Sequence, residues 1–158
     1  MYYGALEAGG TKMVCAIGDA DKNIIDRISI PTGTPDQSLP AMIDYFKKYD
    51  ISALGIGTFG PADINPNSPT YGSIMRSPKK DWEGFSLYKA FTDALGCLVV
   101  VDTDVNAAAW GEYLYGALKG LNSGMYLTVG TGIGGGIISD GRLIHGMEHP
   151  ETGHILIP

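Results

Sequence analysis

Hydrophobic positions recur at two spacings along the chain. Alternation at every second residue predicts three strands near the start, at residues 2–8, 13–18 and 24–30. Helical spacing of the next apolar residues predicts a helix that opens near Pro35 and runs to Tyr49. Two pairs of a short apolar strand and a helix follow: strands at 51–57 and 97–101, helices at 85–95 and 104–115. Strands that alternate with helices in this way are typical of an α/β fold.

The pattern starts again after about residue 120. It predicts three short antiparallel strands at residues 125–129, 136–139 and 142–145, with a glycine-rich turn at 130–135. A strand pair around a glycine turn therefore occurs twice, near residue 10 and near residue 132. We expect residues 1–120 to form a first lobe and residues 121–158 to start a second lobe.

The last three predicted strands have no covering layer and would leave an apolar face open. We therefore expect the chain to be the first half of a longer protein. A swapped or oligomeric small protein is the alternative.

A long loop separates the fourth predicted strand from the second helix. Residues 58–82 carry prolines at positions 61, 66, 69 and 78. Loops of this length in compact domains are usually functional or disordered.

Composition narrows the class of protein. With 158 residues, 44% hydrophobic and 18% charged, the chain is of globular composition. Its net charge of −6 disfavours nucleic-acid binding, because an acidic surface repels phosphate backbones. Cys15 and Cys97 lack CxxC spacing, so we expect free thiols in a reducing compartment. We expect no signal peptide, no membrane partner and a cytoplasmic location.

Two glycine-rich turns are candidate phosphate sites. Residues 9–12 combine backbone N–H groups in a tight turn with a hydroxyl and an ammonium, which suit a phosphate group. A ligand-free hairpin explains this turn equally well. Residues 130–136 contain five glycines in seven positions between two strands. A glycine bulge without ligand is the alternative there, and the density of glycine argues against it.

Acidic residues follow a predicted strand and open the third helix. Asp104 could accept a proton from a substrate hydroxyl at this strand end, or could only cap the helix. Asp102 is a competing candidate for the same chemistry. Near the end of the chain, Glu151 and His154 could recognise hydroxyl groups or bind a metal, although such a histidine is usually structural.

The order of these motifs resembles the ROK family of sugar kinases (repressors, uncharacterised reading frames and kinases) over the whole chain. Residues 7–12 and 130–134 look like its two phosphate motifs, and residues 55–61 resemble its G-x-G-x-x-G-P segment beside the sugar. Residues 103–109 resemble its catalytic segment, and residues 151–154 its sugar-binding Glu-x-Gly-His.

The resemblance implies an actin-like, ribonuclease-H-like α/β fold. It also implies transfer of the γ-phosphoryl group of ATP, with Mg²⁺, to a sugar hydroxyl, and Asp104 as the base. The implied nucleotide-binding residues are Gly9, Gly10, Thr11, Lys12, Gly130, Thr131, Gly132 and Gly134. The implied sugar-binding residues are Gly60, Pro61, Thr103, Glu151 and His154. In a longer protein of this family, His154 would also bind a structural Zn²⁺, and the protein would be a homodimer.

Two positions differ from most ROK kinases and narrow the range of expected substrates. Most ROK kinases have Asp in place of Glu7 and Asn in place of Thr103, and this sequence instead resembles the fructokinase branch. The implied sugar is D-fructose. The alternatives are another ROK hexose kinase, acting on glucose or an N-acetyl hexosamine, and a non-catalytic fragment of a sugar-binding ROK repressor. A repressor would carry a helix-turn-helix before the first phosphate motif, and that motif begins here by Glu7.

Two further expectations concern these 158 residues alone. The cysteine-rich zinc motif of the family is absent after His154, so we expect no bound zinc in this chain. We also expect negligible kinase turnover, because the second lobe supplies most of the adenosine pocket in this family.

Overall fold

The computed structural model describes residues 1–130, 132–145, 152–154 and 156, with only the backbone described at His154. These residues form two β-sheets and three α-helices. In chain order the elements are β1 (Tyr2–Ala8), β2 (Lys12–Asp19), β3 (Ile24–Pro31), α1 (Pro35–Phe46), β4 (Ile51–Thr58), α2 (Leu87–Leu95), β5 (Leu98–Thr103), α3 (Asp104–Tyr115), β6 (Gly124–Val129), β7 (Ile133–Ser139) and β8 (Arg142–Leu143). Among the described residues, no helix combines the length and apolar character needed to cross a membrane.

The first five strands form one mixed sheet in the order β3-β2-β1-β4-β5. β1, β2 and β3 are antiparallel, whereas β4 and β5 run parallel to β1. Parallel neighbours need a crossover, and α1 and α2 supply it. Both helices pack on one face of the sheet, where Phe46 and Phe91 meet edge to face with ring centroids 6.0 Å apart. The α/β class expected from the sequence is confirmed.

Cys15 lies in the middle of this core and is fully buried. Both cysteines are free, as expected from their spacing. Burial raises the pKa of the Cys15 thiol to about 12, so the thiolate that would make it reactive is disfavoured.

Helix α3 joins the two sheets. On one side, a Cβ placed on Gly57 of β4 would lie 2.9 Å from the Ala107 Cβ, so only glycine lets α3 approach the first sheet this closely. On the other side, a Cβ on Gly136 of β7 would collide with the Val105 carbonyl. One face of the β6-β7-β8 sheet is therefore covered by α3.

The expectation that these three strands lack a covering layer is thus wrong for one face. On the opposite face, Met125, Leu127 and Val129 of β6 are exposed. Together with Ile133 of β7, they form an apolar surface.

Several element boundaries differ from the sequence-based prediction. Helix α1 ends at Phe46 rather than at Tyr49, and α2 begins at Leu87, because the Ser86 hydroxyl accepts from the Lys89 N–H and caps the helix there. β7 begins at Ile133 rather than at residue 136, so three of the glycines predicted to form the turn or its border lie in the strand. β8 ends at Leu143. The predicted helix at 104–115 is confirmed.

The loop between β4 and α2 is ordered. Backbone bridges join Ala62 to Ile74 and Ser73 to Ser86. The Asp63 carboxylate accepts hydrogen bonds from the hydroxyls of Ser68 and Thr70 and holds the middle of the loop. Burial raises the pKa of Asp63, but these hydroxyl donors outweigh it and the net shift is downward.

Tyr71 of this loop closes the free edge of the sheet. β5 is the outer strand, and its Leu98 and Val100 side chains are exposed. The Tyr71 hydroxyl accepts from the Val101 N–H at 2.8 Å and donates to the Val101 carbonyl at 3.0 Å. Both backbone groups would otherwise be unpaired at an open strand edge.

We expect Tyr71→Phe to lower the free energy of unfolding by about 1–3 kcal/mol, since it leaves the Val101 N–H and carbonyl without partners. Urea denaturation followed by circular dichroism measures this loss. The matched control is Tyr88→Phe, because Tyr88 packs against Tyr71 and its hydroxyl makes no hydrogen bond among the described residues. Equal losses in the two variants would contradict the assigned role of the Tyr71 hydroxyl.

Candidate active site

Three parallel strands end side by side at one edge of the first sheet. Ala8 of β1 is paired with Thr58 of β4, and Thr58 is paired with Thr103 of β5. Neighbouring strands lie about 4.8 Å apart, so the chain segments that follow β1 and β5 start within about 10 Å of each other. The first glycine turn, the segment containing Gly60 and the acidic segment therefore meet at this edge, where α/β proteins bind ligands.

The first glycine turn is stabilised by a hydrogen bond within the turn and by two hydrogen bonds from Thr32, the residue after β3. The Gly9 N–H donates to the Lys12 carbonyl at 3.0 Å, and a Cβ on Gly9 would lie 2.7 Å from that same oxygen. Thr32 clamps the turn from outside: its hydroxyl donates to the Gly9 carbonyl at 2.7 Å and its N–H to the Thr11 carbonyl at 3.0 Å. Thr32 follows a strand in the sequence without any motif, and the sequence analysis missed it.

The N–H groups of Gly10 and Thr11 make no hydrogen bond among the described residues. They lie in a turn whose backbone is fixed by Thr32. Free N–H donors in a rigid turn are the arrangement that binds phosphate oxygens.

Asp102 links the first sheet to the second. One of its carboxylate oxygens accepts from the Thr103 N–H and from the Asn106 side-chain amide, both at 2.7 Å. Its other oxygen lies 2.8 Å from the His145 Nε2. His145 follows β8, so this contact joins the end of β5 to the end of the second sheet. The sequence analysis did not single out His145, because a lone histidine in a short strand carries no motif.

Asp104 is the first residue of α3 and is half-buried. The structure corrects the interpretation of Asp104 as the helix cap, because the Thr103 hydroxyl accepts from the Asn106 N–H and caps α3 instead. The Asp104 carboxylate accepts from the Val105 N–H at 2.8 Å. Its carboxylate lies at the positive end of the α3 dipole.

Thr103, implied as a sugar-binding residue, is only 2% exposed. Its hydroxyl is engaged in the helix cap. The structure thus places the Thr103 side chain beneath the site rather than on its open surface.

The second glycine turn approaches the start of α3. A Cβ on Gly134 would lie 3.0 Å from the Val105 Cγ1, so Gly134 allows β7 to pack beside the residue that follows Asp104. Gly130 and Gly132 behave differently: apart from chain neighbours, a Cβ at either position would meet no atom of the described residues within 4 Å, and the Gly130 N–H donates to the Gly132 carbonyl. Within the described part of the chain, these two glycines border open space. Thr131, between them, lies outside the described residues.

The remaining implied sugar-binding residues are only partly described. Gly60 and Pro61 follow β4 at the same edge and are half-buried, with a cis peptide bond between them. Glu151 lies outside the described residues, and so does the side chain of His154. The backbone of Thr152–His154 forms a short 3-10 turn across β7, where the Thr152 hydroxyl donates to the Gly135 carbonyl at 3.5 Å.

Zinc does not fit the side chains that the structure describes. No three His, Cys, Asp or Glu side chains converge within residues 1–130 and 132–145 or at the described positions beyond them. A tetrahedral structural zinc site needs four nitrogen or sulfur ligands.

Comparison with known proteins agrees with this geometry. The chain matches the model of the ROK family over residues 3–158. The chain therefore belongs to the ROK family, and its fold is the actin-like ATPase fold that ROK sugar kinases share.

Individual relatives are sugar kinases. The chain is 46% identical to a fructokinase of Lactococcus lactis subsp. cremoris, covering 98% of this chain and 52% of that protein. It is 43% identical to a fructokinase of Pediococcus pentosaceus, covering 98% of this chain and 54% of that protein. A ROK family glucokinase from Streptomyces griseus, solved with glucose and AMPPNP, superposes with a TM-score of 0.81 at 30% identity, covering 100% of this chain and 51% of that one. The chain thus spans about half the length of the curated relatives it matches.

We expect the Asp102–His145 contact to couple the two sheets. His145→Phe keeps a ring but removes the nitrogen, and Asp102→Asn removes the charge. Each change should lower the free energy of unfolding by about 0.5–1.5 kcal/mol, because the pair is partly exposed. The double variant should lose little more than one single variant, since both changes break the same interaction. Fully additive losses in urea denaturation would contradict the coupling.

Proposed function

We propose that this chain forms the first lobe and the opening strands of the second lobe of an ATP-dependent sugar kinase that phosphorylates D-fructose. The observation that carries the proposal is the register of β1, β4 and β5, which brings the first glycine turn and Asp104 to one edge within about 10 Å of each other. Phosphoryl transfer requires that the bound phosphate donor and the proton acceptor for the sugar hydroxyl lie no further apart than this.

Several groups of the described residues at this edge suit the binding of phosphate. The free N–H groups of Gly10 and Thr11 and the Lys12 ammonium suit the phosphates of ATP. Gly130 and Gly132 of the second glycine turn border open space among the described residues and suit the same ligand. When bound, Mg²⁺ would neutralise phosphate charge.

The proposed reaction is one phosphoryl transfer. The sugar hydroxyl oxygen forms a bond to the γ-phosphorus, and the bond between that phosphorus and the bridging oxygen of ADP breaks. The hydroxyl proton moves to the Asp104 carboxylate. Asp102 is a weaker candidate for this role, because its two oxygens are already engaged by Thr103, Asn106 and His145.

Fructose is the substrate that the relatives and the sequence favour. The two fructokinases are 43% and 46% identical to the chain, against 30% for the S. griseus glucokinase. Glu7 and Thr103 resemble the fructokinase branch. Because the Thr103 side chain is buried and caps α3, its influence on the sugar would act through the position of Asp104. Glucose is the alternative substrate, favoured by the likeness to the glucokinase.

We expect Asp104→Asn to leave the fold intact and to lower the turnover of a longer protein that carries this segment and a second lobe. The loss should be on the order of 10²- to 10⁴-fold, the usual contribution of a positioned base. Sugar affinity should change less. Steady-state kinetics and circular dichroism measure the two effects.

Asp102→Asn is the matched control for Asp104→Asn. It removes one negative charge from the same turn but leaves Asp104 in place. The assignment of Asp104 is wrong if Asp104→Asn retains near-normal turnover, or if Asp102→Asn is the more damaging change.

We expect the same longer protein to phosphorylate fructose with a higher kcat/KM than glucose, mannose or an N-acetyl hexosamine. The reason is the greater similarity of the chain to fructokinases. A coupled assay of ADP release across this hexose panel measures the ratio. A higher kcat/KM for glucose would replace fructokinase with glucokinase and leave the sugar-kinase class intact.

A further inference from the structure

The loop between β4 and α2 returns to the first glycine turn at Lys79. A Cβ placed on Gly10 would lie 3.9 Å from the Lys79 Cε, and apart from the chain neighbours of Gly10 no other described residue comes within 4 Å of that position. Lys79 is half-buried and forms no ion pair among the described residues. Its neighbour Lys80 is exposed and pairs with Glu83 at 3.2 Å. The two adjacent lysines thus have different environments.

The position of Lys79 is fixed by contacts with the segment that also holds the first glycine turn. Trp82, three residues later, is 1% exposed, and its Nε1 donates to the Gly33 carbonyl at 2.8 Å. Gly33 directly follows Thr32, which clamps the glycine turn. On the other side, the buried Ser77 hydroxyl accepts from the Lys79 N–H at 3.1 Å. Lys79 is therefore held beside Gly10 by contacts on both sides.

Within the described part of the chain, the Lys79 ammonium has no carboxylate partner, and the Gly10 and Thr11 N–H groups beside it have no hydrogen-bond acceptor. Lys12, at the end of the same turn, is a second cation without an ion pair among the described residues. Unpaired donors of this kind around one turn complement a phosphate anion, which accepts several charge-assisted hydrogen bonds at once.

We propose that Lys79 is a phosphate-binding residue, which acts with the N–H groups of Gly10 and Thr11 on the terminal phosphates of a nucleoside triphosphate. The identification of the ligand as a nucleotide rests on the proposed kinase function, whereas the anion site does not. The segment that contains Gly60 and Pro61 leads into the loop that carries Lys79. One loop would then place a cation on the phosphates and also border the sugar.

The test is a titration of the ¹⁵N-labelled 158-residue chain with tripolyphosphate, followed by NMR. In the unmodified chain, we expect the Gly10 and Thr11 amide signals to shift. In Lys79→Met, the affinity read from these signals should fall at least about tenfold, as expected for loss of a charged hydrogen-bond donor. Lys80→Met, the matched control, removes the same charge one residue away and should change the affinity less than about twofold. Lys79→Arg should retain most of it, because the charge stays.

Three results would overturn the proposal. In the first, the Gly10 and Thr11 signals do not move in the unmodified chain. In the second, Lys79→Met binds as tightly as the unmodified chain while its circular dichroism is unchanged. In the third, Lys79→Met and Lys80→Met weaken binding equally, which indicates only a general charge effect.

A failure of the proposed kinase function can be distinguished from a failure of the proposed role of Lys79. If Lys79→Met loses tripolyphosphate binding but the longer protein phosphorylates no hexose, the anion site stands and the proposed function is wrong. If hexose is phosphorylated and Lys79→Met binds tripolyphosphate normally, the proposed function stands and Lys79 has no role in it.

Discussion

The alignment of three parallel strands is the constraint on which the rest of the structure depends. Hydrogen bonding pairs Ala8 with Thr58 and Thr58 with Thr103, so the chain leaves β1, β4 and β5 at the same level. A shift of β5 by one residue would turn Thr103 outward and bury Asp102 or Asp104, because successive side chains point to opposite faces. The contact between Asp102 and His145 requires the observed register.

Glycine serves two different needs in this chain. At Gly9, Gly57 and Gly136, a side chain would strike backbone or a neighbouring Cβ, so these glycines are explained by the fold alone. At Gly130 and Gly132, a side chain would meet no atom of the other described residues within 4 Å, chain neighbours aside. The fold does not need glycine there, and close approach of a ligand to the backbone is a physical reason for it. The two kinds are indistinguishable in the sequence, which is why the run at 130–136 looked like a single motif.

The local pattern of the sequence was sufficient to predict most helices and strands, but not the contacts between them. The helix at 104–115 and the strands near the start are encoded by spacing and capping within a few residues. β7 was predicted too short, because its glycines are poor strand formers, and Gly134 and Gly136 are explained only by the packing of α3 against them. Thr32, His145 and Lys79 were missed as site residues for a related reason: each reaches the site across more than twenty residues of sequence or from another sheet. Tyr71 likewise reaches Val101 across 30 positions.

Asp102 and Asp104 show how two similar side chains in one turn acquire different roles. Asp102 ends its strand within reach of the Asn106 amide, the Thr103 N–H and the His145 ring, and these contacts occupy both of its oxygens. Asp104 begins the helix, where the dipole stabilises its charge. A carboxylate whose oxygens hold two sheets together cannot turn toward a substrate hydroxyl without breaking that connection. In this turn, Asp102 holds the two sheets together, and Asp104, two residues later, is the residue that we propose as the base.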